Sequence, residues 1–217
     1  MTSFSRELLK WLALVLMTLD HANKAMHLHL PGVPEASRIA FPLFALVLAY
    51  GLAQPGARLR PALLRLLAFG ALAQPLHAVT VVDGWLPLNV LLTFAAAVAV
   101  IMLWMRGQRF AAAALFALGS PWVDYGWAGV GLTLAAWWWF HVEAHGVIFG
   151  RCARWAGGAL VLAAFALLCA QNGNLWALLA LPLVAALSRL PGRFPRWRWA
   201  FYGYYVGHLA VLAFAAG

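Results

Sequence analysis

The stretch LVLMTLDHANKAMHLHL, residues 14–30, opens as an apolar helix and then sets Asp20, His21, Asn23, Lys24, His27 and His29 into the same hydrophobic segment. A charged side chain near a bilayer centre costs roughly 2.5–3.5 kcal/mol on insertion scales, so such residues persist where chemistry or transport needs them. Whether this stretch belongs to a soluble helix or to a membrane span decides the fold, and composition answers it. Of the 217 residues, 65% are apolar and only 10% charged. A soluble domain carries about a quarter charged residues. The expected fold is therefore all-α: a polytopic transmembrane bundle of about nine helices in one domain, residues 1–217.

Hydrophobic segments are expected at 8–28, 38–54, 60–79, 88–105, 109–122, 127–142, 155–171, 174–188 and 198–216. The first is read as a span and not as a signal peptide, because it lacks a small-residue cleavage site and holds Asp20 and Lys24. The two cysteines, Cys152 and Cys169, offer neither a disulfide framework nor metal-ligand spacing. No metal is expected.

The net charge of +9 is explained by where the basic residues fall. Arg6 and Lys10 precede the first segment. Arg58, Arg60 and Arg65 surround the second connection, Arg106 and Arg109 the fourth, Arg151 and Arg154 the sixth, and Arg189, Arg193, Arg196 and Arg198 the eighth. Only Lys24 and Arg38 fall on the other side, so thirteen of the fifteen positive residues share one face. The positive-inside rule makes that face cytoplasmic, with the amino terminus inside and the carboxyl terminus outside. Membrane lipid is the partner this charge implies, and nucleic acid is not. Four of the six acids (Asp20, Glu35, Asp83 and Asp124) go to the other side, together with His21, His27, His29 and His77.

Residues three and four apart share a helix face. Asp20, Asn23, Lys24 and His27 therefore form one polar stripe, with His21 on its flank. A neutral imidazole accepts a proton near pH 7, which makes His21 the strongest candidate base. The structural alternative is an Asp20–Lys24 pair that only stabilises the helix, with His27 and His29 as interfacial anchors. Arg38 opens the second segment on the outer side, and Pro42 is expected to break it. Asn89 and Thr93 share a face, for substrate contact or for interhelical hydrogen bonding. Asp124 and Tyr125 occupy a tight outer turn, where Asp124 is either an N-cap or part of a site. His208 falls in the last segment at a depth approaching that of His21, as a core residue or as a partner in chemistry.

Five stretches, LKWLALVLMTLDHANK, RIAFPLFALVLAYG, LNVLLTF, DYGWAGVG and FYGYYVGHL, occur in the order found in the TraX family, which this chain resembles from Leu9 to Leu209. The family is named for a conjugative F-pilin acetylation protein, which modifies the amino terminus of the pilin subunit. One departure stands out: Val206 occupies the place of the proline expected in the motif ending at His208-Leu209. The family is distantly similar to heparan-α-glucosaminide N-acetyltransferase and to acyltransferase-3 membrane enzymes. The resemblance implies an acetyltransferase of the bacterial inner membrane, moving acetyl from cytosolic acetyl-CoA to an extracytoplasmic amine or hydroxyl such as pilin's.

His21 would then be the catalytic base, with Asp20, Lys24 and His208 beside it. Asn89, Tyr125 or Lys24 would stabilise the oxyanion, and Asp124 and Arg38 would line the acceptor site. Arg58, Arg60, Arg65, Arg106, Arg109, Arg151 and Arg154 supply the basic face from which the phosphates of acetyl-CoA would be held, arginine's planar fork being suited to phosphate. Direct transfer and an acetyl-histidine intermediate both stay open. The rival readings are a proton-coupled transporter or flippase built on Asp20, His21 and Lys24, and a haem carrier using two histidines.

Overall fold

The computed structural model describes residues 1–82, 84–192 and 199–216, except for the side chains of 146–150 and 216. Asp83, Arg193, Arg196 and Arg198 lie outside it. Among the described residues the chain is helical, with no strand beyond a single bridge between Leu88 and Val123.

The helices are α1 (Ser3–Ala25), α2 (Val33–Ser37), α3 (Ala40–Ala53), α4 (Leu59–Thr80), α5 (Val90–Met105), α6 (Arg109–Gly119), α7 (Gly126–Ala144), α8 (Gly146–Asn172), α9 (Ala180–Leu187) and α10 (Ala200–Ala216). Each of the nine expected segments finds its helix, α3 filling the second, while the short α2 precedes that segment and was not expected. Val33–Ala53, Leu59–Thr80 and Arg151–Asn172 are long and apolar enough to cross a membrane, and Val90–Met105, Trp176–Leu187 and Ala200–Ala215 are shorter apolar helices.

Local chemistry sets the boundaries. Helix α1 starts earlier than expected because the Thr2 hydroxyl accepts from the Ser5 N–H at 3.0 Å and caps it. It also ends earlier, at Ala25. The Asn23 side chain turns back to accept from the Leu30 N–H at 2.8 Å, and His27 and His29 take left-handed backbone angles in the following loop. His27 is therefore not on the helical stripe with Asp20; it and His29 are exposed. Pro42, third residue of α3, cannot donate to the carbonyl of Arg38 four residues back. The segment accordingly breaks at Arg38–Ile39. Val206, by contrast, leaves α10 unbroken.

Lipid offers helices no hydrophobic drive to associate, so close approach of small residues matters more. A Cβ on Gly70 of α4 would come within 2.7 Å of Leu92 on α5, and one on Gly129 of α7 within 3.0 Å of the Phe41 ring on α3. Leu9, Leu43, Leu46, Leu132 and Phe165 fill the centre, fully buried. The bundle has two distinct ends. At one, the Thr2 hydroxyl donates to the Leu190 carbonyl at 2.9 Å and Tyr50 donates to the Met1 carbonyl at 3.3 Å. At the other, α1 meets α2, and residues 85–89 meet the turn before α7.

Candidate active site

Helices α1 and α10 cross so that His21 and His208 meet. The Nδ1 of His21 and the Nε2 of His208 are 2.8 Å apart, both rings are buried, and the planes lie 9° from parallel. The other nitrogen of His208, Nδ1, is 3.0 Å from the Tyr204 carbonyl oxygen. A carbonyl only accepts, so His208 must carry its proton on Nδ1. In the neutral ring Nε2 is then an acceptor and takes the hydrogen from His21 Nδ1. That leaves His21 Nε2 unprotonated, with its lone pair available. The backbone of α10 thus selects the tautomer of a side chain on α1, much as a carboxylate orients the histidine of a hydrolytic triad. Tyr205 packs edge-on to both rings, with centroids 6.4 Å from His21 and 5.4 Å from His208.

Beyond the histidines, an ionic cluster closes the end of the bundle. Asp20 accepts from Lys24 Nζ at 2.6 Å and from the Ser37 hydroxyl at 3.1 Å. Asp124 and Tyr125 come from the turn before α7, which three bonds pin in place. The Asp124 N–H donates to the Leu88 carbonyl, its carbonyl accepts from the Thr93 hydroxyl, and its carboxylate accepts from the Tyr125 N–H.

Asp124 is not the helix cap. Tyr125 holds that position at φ 60°, a left-handed angle costly for a bulky residue. Its ring stacks on Phe41 at 4.1 Å, and the Arg38 guanidinium lies beside its hydroxyl. Burial pushes the Asp124 carboxyl up to about 6, against the pull of Lys24 and Arg38. The Tyr125 hydroxyl is raised for the same reason. His77, buried on α4, stands within electrostatic reach of both His21 and Lys24.

On the opposite side of the histidine pair, a cavity of about 750 Å³ opens at the other end of the bundle. Arg6, Lys10, Arg58 and Arg65 stand among its lining residues, and Phe94 and Tyr205 form part of its apolar wall. Lys10 pairs with the buried Glu7 at 2.6 Å. Lys10 and His21 are eleven residues apart on α1, about 16 Å of helical rise. Tyr205 therefore belongs both to the cavity wall and to the surroundings of the histidines.

The structure brings Asp20, His21, Lys24, Arg38, Asp124, Tyr125 and His208 to one region, from four separate stretches of chain. Asn89 has a different task. Its amide donates to Gly70 and Gln74, both at 2.8 Å, and its oxygen caps α5 through the Leu91 N–H. Every hydrogen-bonding group of that fully buried side chain is engaged within the protein. Of the seven arginines singled out, Arg58 and Arg65 line the cavity. Arg60, Arg106, Arg109, Arg151 and Arg154 lie elsewhere and are exposed, Arg109 covering the Trp104 ring. Arg6 and Lys10 were not foreseen there, since in the sequence they read as flanking charges of the first segment. Among the described residues no group of three histidine, cysteine or acidic side chains could hold a metal.

Among the described residues, apolar helices bury a histidine pair between a cavity and an ionic cluster, the make-up of an all-helical membrane protein. The chain belongs to the TraX family, whose model, described as TraX protein, matches residues 5–215. It is similar to Protein TraX of Escherichia coli, 33% identical over 225 aligned residues that cover 97% of this chain and 87% of that protein. It is also similar to Protein TraX of Escherichia coli strain K12, 33% identical over 220 residues with the same coverage. No solved structure matches the chain.

Proposed function

We propose that the protein is an acetyltransferase of the bacterial inner membrane, crossing it several times with the arginine-rich end in the cytoplasm. It takes acetyl from cytosolic acetyl-CoA and passes it to an amine or hydroxyl on the outer side. By family resemblance the acceptor is the amino terminus of a pilin subunit. The observation that carries this is the unprotonated Nε2 of His21, its tautomer set by His208 and the Tyr204 carbonyl between the cationic cavity and the ionic cluster.

The nucleotide phosphates of the donor sit among Arg6, Lys10, Arg58 and Arg65, as charge-assisted hydrogen bonds favour. The pantetheine arm follows the apolar wall toward Tyr205. The acceptor arrives from the end lined by Asp20, Lys24, Arg38 and Asp124. Its nitrogen or oxygen attacks the thioester carbon, and His21 Nε2 takes the proton released. The carbon–sulfur bond breaks, and the proton passes from His21 to the leaving thiolate. The products are the acetylated acceptor and free CoA.

The test uses membranes from cells whose own copy is deleted and complemented with the wild-type chain or with His21→Ala. Labelled acetyl-CoA is supplied at the cytoplasmic face, and the labelled species are identified. Wild-type membranes are expected to label one envelope component that His21→Ala membranes leave unlabelled. Equal labelling with and without the protein would overturn the proposal. Coupled proton and solute flux in proteoliposomes would instead establish the transporter reading.

A further inference from the structure

We infer that the Tyr205 hydroxyl is the donor that stabilises the negative oxygen formed during transfer, an inference that rests on the acetyl-transfer reading above. Addition of an amine to a thioester carbonyl moves the carbonyl π electrons onto oxygen. An enzyme of this class needs a fixed hydrogen-bond donor at that oxygen, inside a site that excludes water.

The obvious donors are committed elsewhere. Both N–H groups of Asn89 are used within the protein. Lys24 is paired with Asp20 on an exposed face, and the Tyr125 hydroxyl lies beside Arg38 in the ionic cluster.

Tyr205 has what the others lack. Its side chain is only 4% exposed, yet its hydroxyl makes no hydrogen bond of full geometry. A buried hydroxyl left without a partner costs about 1–3 kcal/mol, and folded proteins keep few of them. The residue also lines the cavity while its ring stands edge-on to both His21 and His208. A thioester at the inner end of the cavity would therefore approach Tyr205, whose ring has the two histidines as its other neighbours.

The hydroxyl oxygen faces the Val90 N–H, the first of α5. An N–H at that position has no partner within its own helix and sits at the positive end of the helix dipole. It polarises the phenol, so that the O–H becomes a stronger donor while keeping its proton. In the step itself the acceptor adds to the carbonyl carbon and His21 Nε2 takes its proton. Tyr205 donates a hydrogen bond to the developing oxyanion without transferring a proton. Collapse of the intermediate restores the carbonyl and expels the thiolate, which is reprotonated from His21.

The experiment compares Tyr205→Phe with the wild-type chain in complemented membranes, measuring the transfer rate at saturating labelled acetyl-CoA and, separately, acetyl-CoA affinity. The ring and its packing survive the substitution. Loss of one oxyanion donor is expected to lower the saturated rate by about 10²–10³-fold, with affinity unchanged to within about 2-fold. A saturated rate within about 3-fold of wild type, or a loss confined to affinity, overturns the inference and leaves the acetyl-transfer reading standing. Wild-type membranes that transfer no acetyl overturn both. Should Tyr205→Phe fail to accumulate, 3-fluorotyrosine at position 205 replaces it. Its more acidic hydroxyl is a stronger donor and is expected to raise the saturated rate with affinity unchanged, and an unchanged saturated rate overturns the inference.

Discussion

The two ends of the bundle handle charge in opposite ways. At the arginine-rich end, Arg58, Arg60, Arg106, Arg109, Arg151, Arg154 and Arg189 are all exposed. At the other end the charges are few, and apart from the exposed Glu35 the described ones are built into their surroundings: Asp20 with Lys24 and Ser37, Arg38 beside Tyr125, Asp124 in a pinned turn. Charge that sets orientation in a bilayer is read as a sum, so its individual members are interchangeable. Charge that does chemistry is read by position, so a single substitution is felt. Among the described residues, Arg6, Lys10, Arg58 and Arg65 line a cavity, and there a basic side chain of this end acquires a place of its own.

The largest effect that would sharpen this contrast is at His21. His21→Ala is expected to lower acetyl transfer by about 10²–10⁴-fold, the range for loss of a general base, while the protein still inserts and binds acetyl-CoA. His208→Ala, which removes only the group fixing the tautomer, should lose less and should broaden the pH–rate profile. Unimpaired transfer by purified His21→Ala would take the residue out of the chemistry.

Next come the arginines. Arg58→Ala and Arg65→Ala are each expected to weaken acetyl-CoA binding by about 1.5–3 kcal/mol. Arg106→Ala and Arg151→Ala should stay within about 0.5 kcal/mol of wild type, as exposed substitutions usually do. Titration calorimetry on the four purified variants decides it, and equal affinities throughout would erase the distinction between cavity and face.

Asp20 tests the ionic end. Asp20→Ala strips Lys24 of its acceptor and leaves the Ser37 hydroxyl only the Pro34 carbonyl, and should cost about 1 kcal/mol of stability. Asp20→Asn keeps an oxygen for Ser37 and should cost less, with thermal melting in detergent separating the two.

The smallest effect is a pH dependence from Asp124. Its carboxyl is raised from 3.8 to about 6, because burial disfavours the charged form. The folded state therefore holds the proton where the unfolded chain has already lost it. Stability from this group is greatest at low pH and declines as pH rises between about 4 and 6. Asp124→Asn should flatten that part of the melting profile, and an unchanged profile would mean the carboxyl ionises freely.

Much of this was legible in the chain. Apolar runs located the helices because a lipid-facing helix needs no polar partner, and Asp20, His21 and Lys24 stood out because they break that rule. The ends of α1 were misjudged: hydropathy does not register a Thr2 cap or an Asn23 side chain folding back on Leu30. His208 could be noticed but not paired, since 187 residues separate it from His21 and no local pattern encodes that contact. Tyr205 was hidden among five aromatic or small neighbours in FYGYYVG, where only the missing partner of its hydroxyl sets it apart. Asn89 could be read two ways, because an amide that joins two helices and one that binds substrate look alike in sequence.

The bond from His208 to the Tyr204 carbonyl has a consequence for proton movement as well as for the imidazoles. A row of hydrogen-bonded histidines inside a membrane is, in general, a wire along which protons can hop. This one is terminated at a carbonyl oxygen, which accepts a hydrogen bond but has no proton to pass on. Through these bonds a proton picked up at His21 has nowhere to go except back to a reactant. Under the acetyl-transfer proposal this chain of bonds would return the proton to the reactants rather than relay it onward through His208.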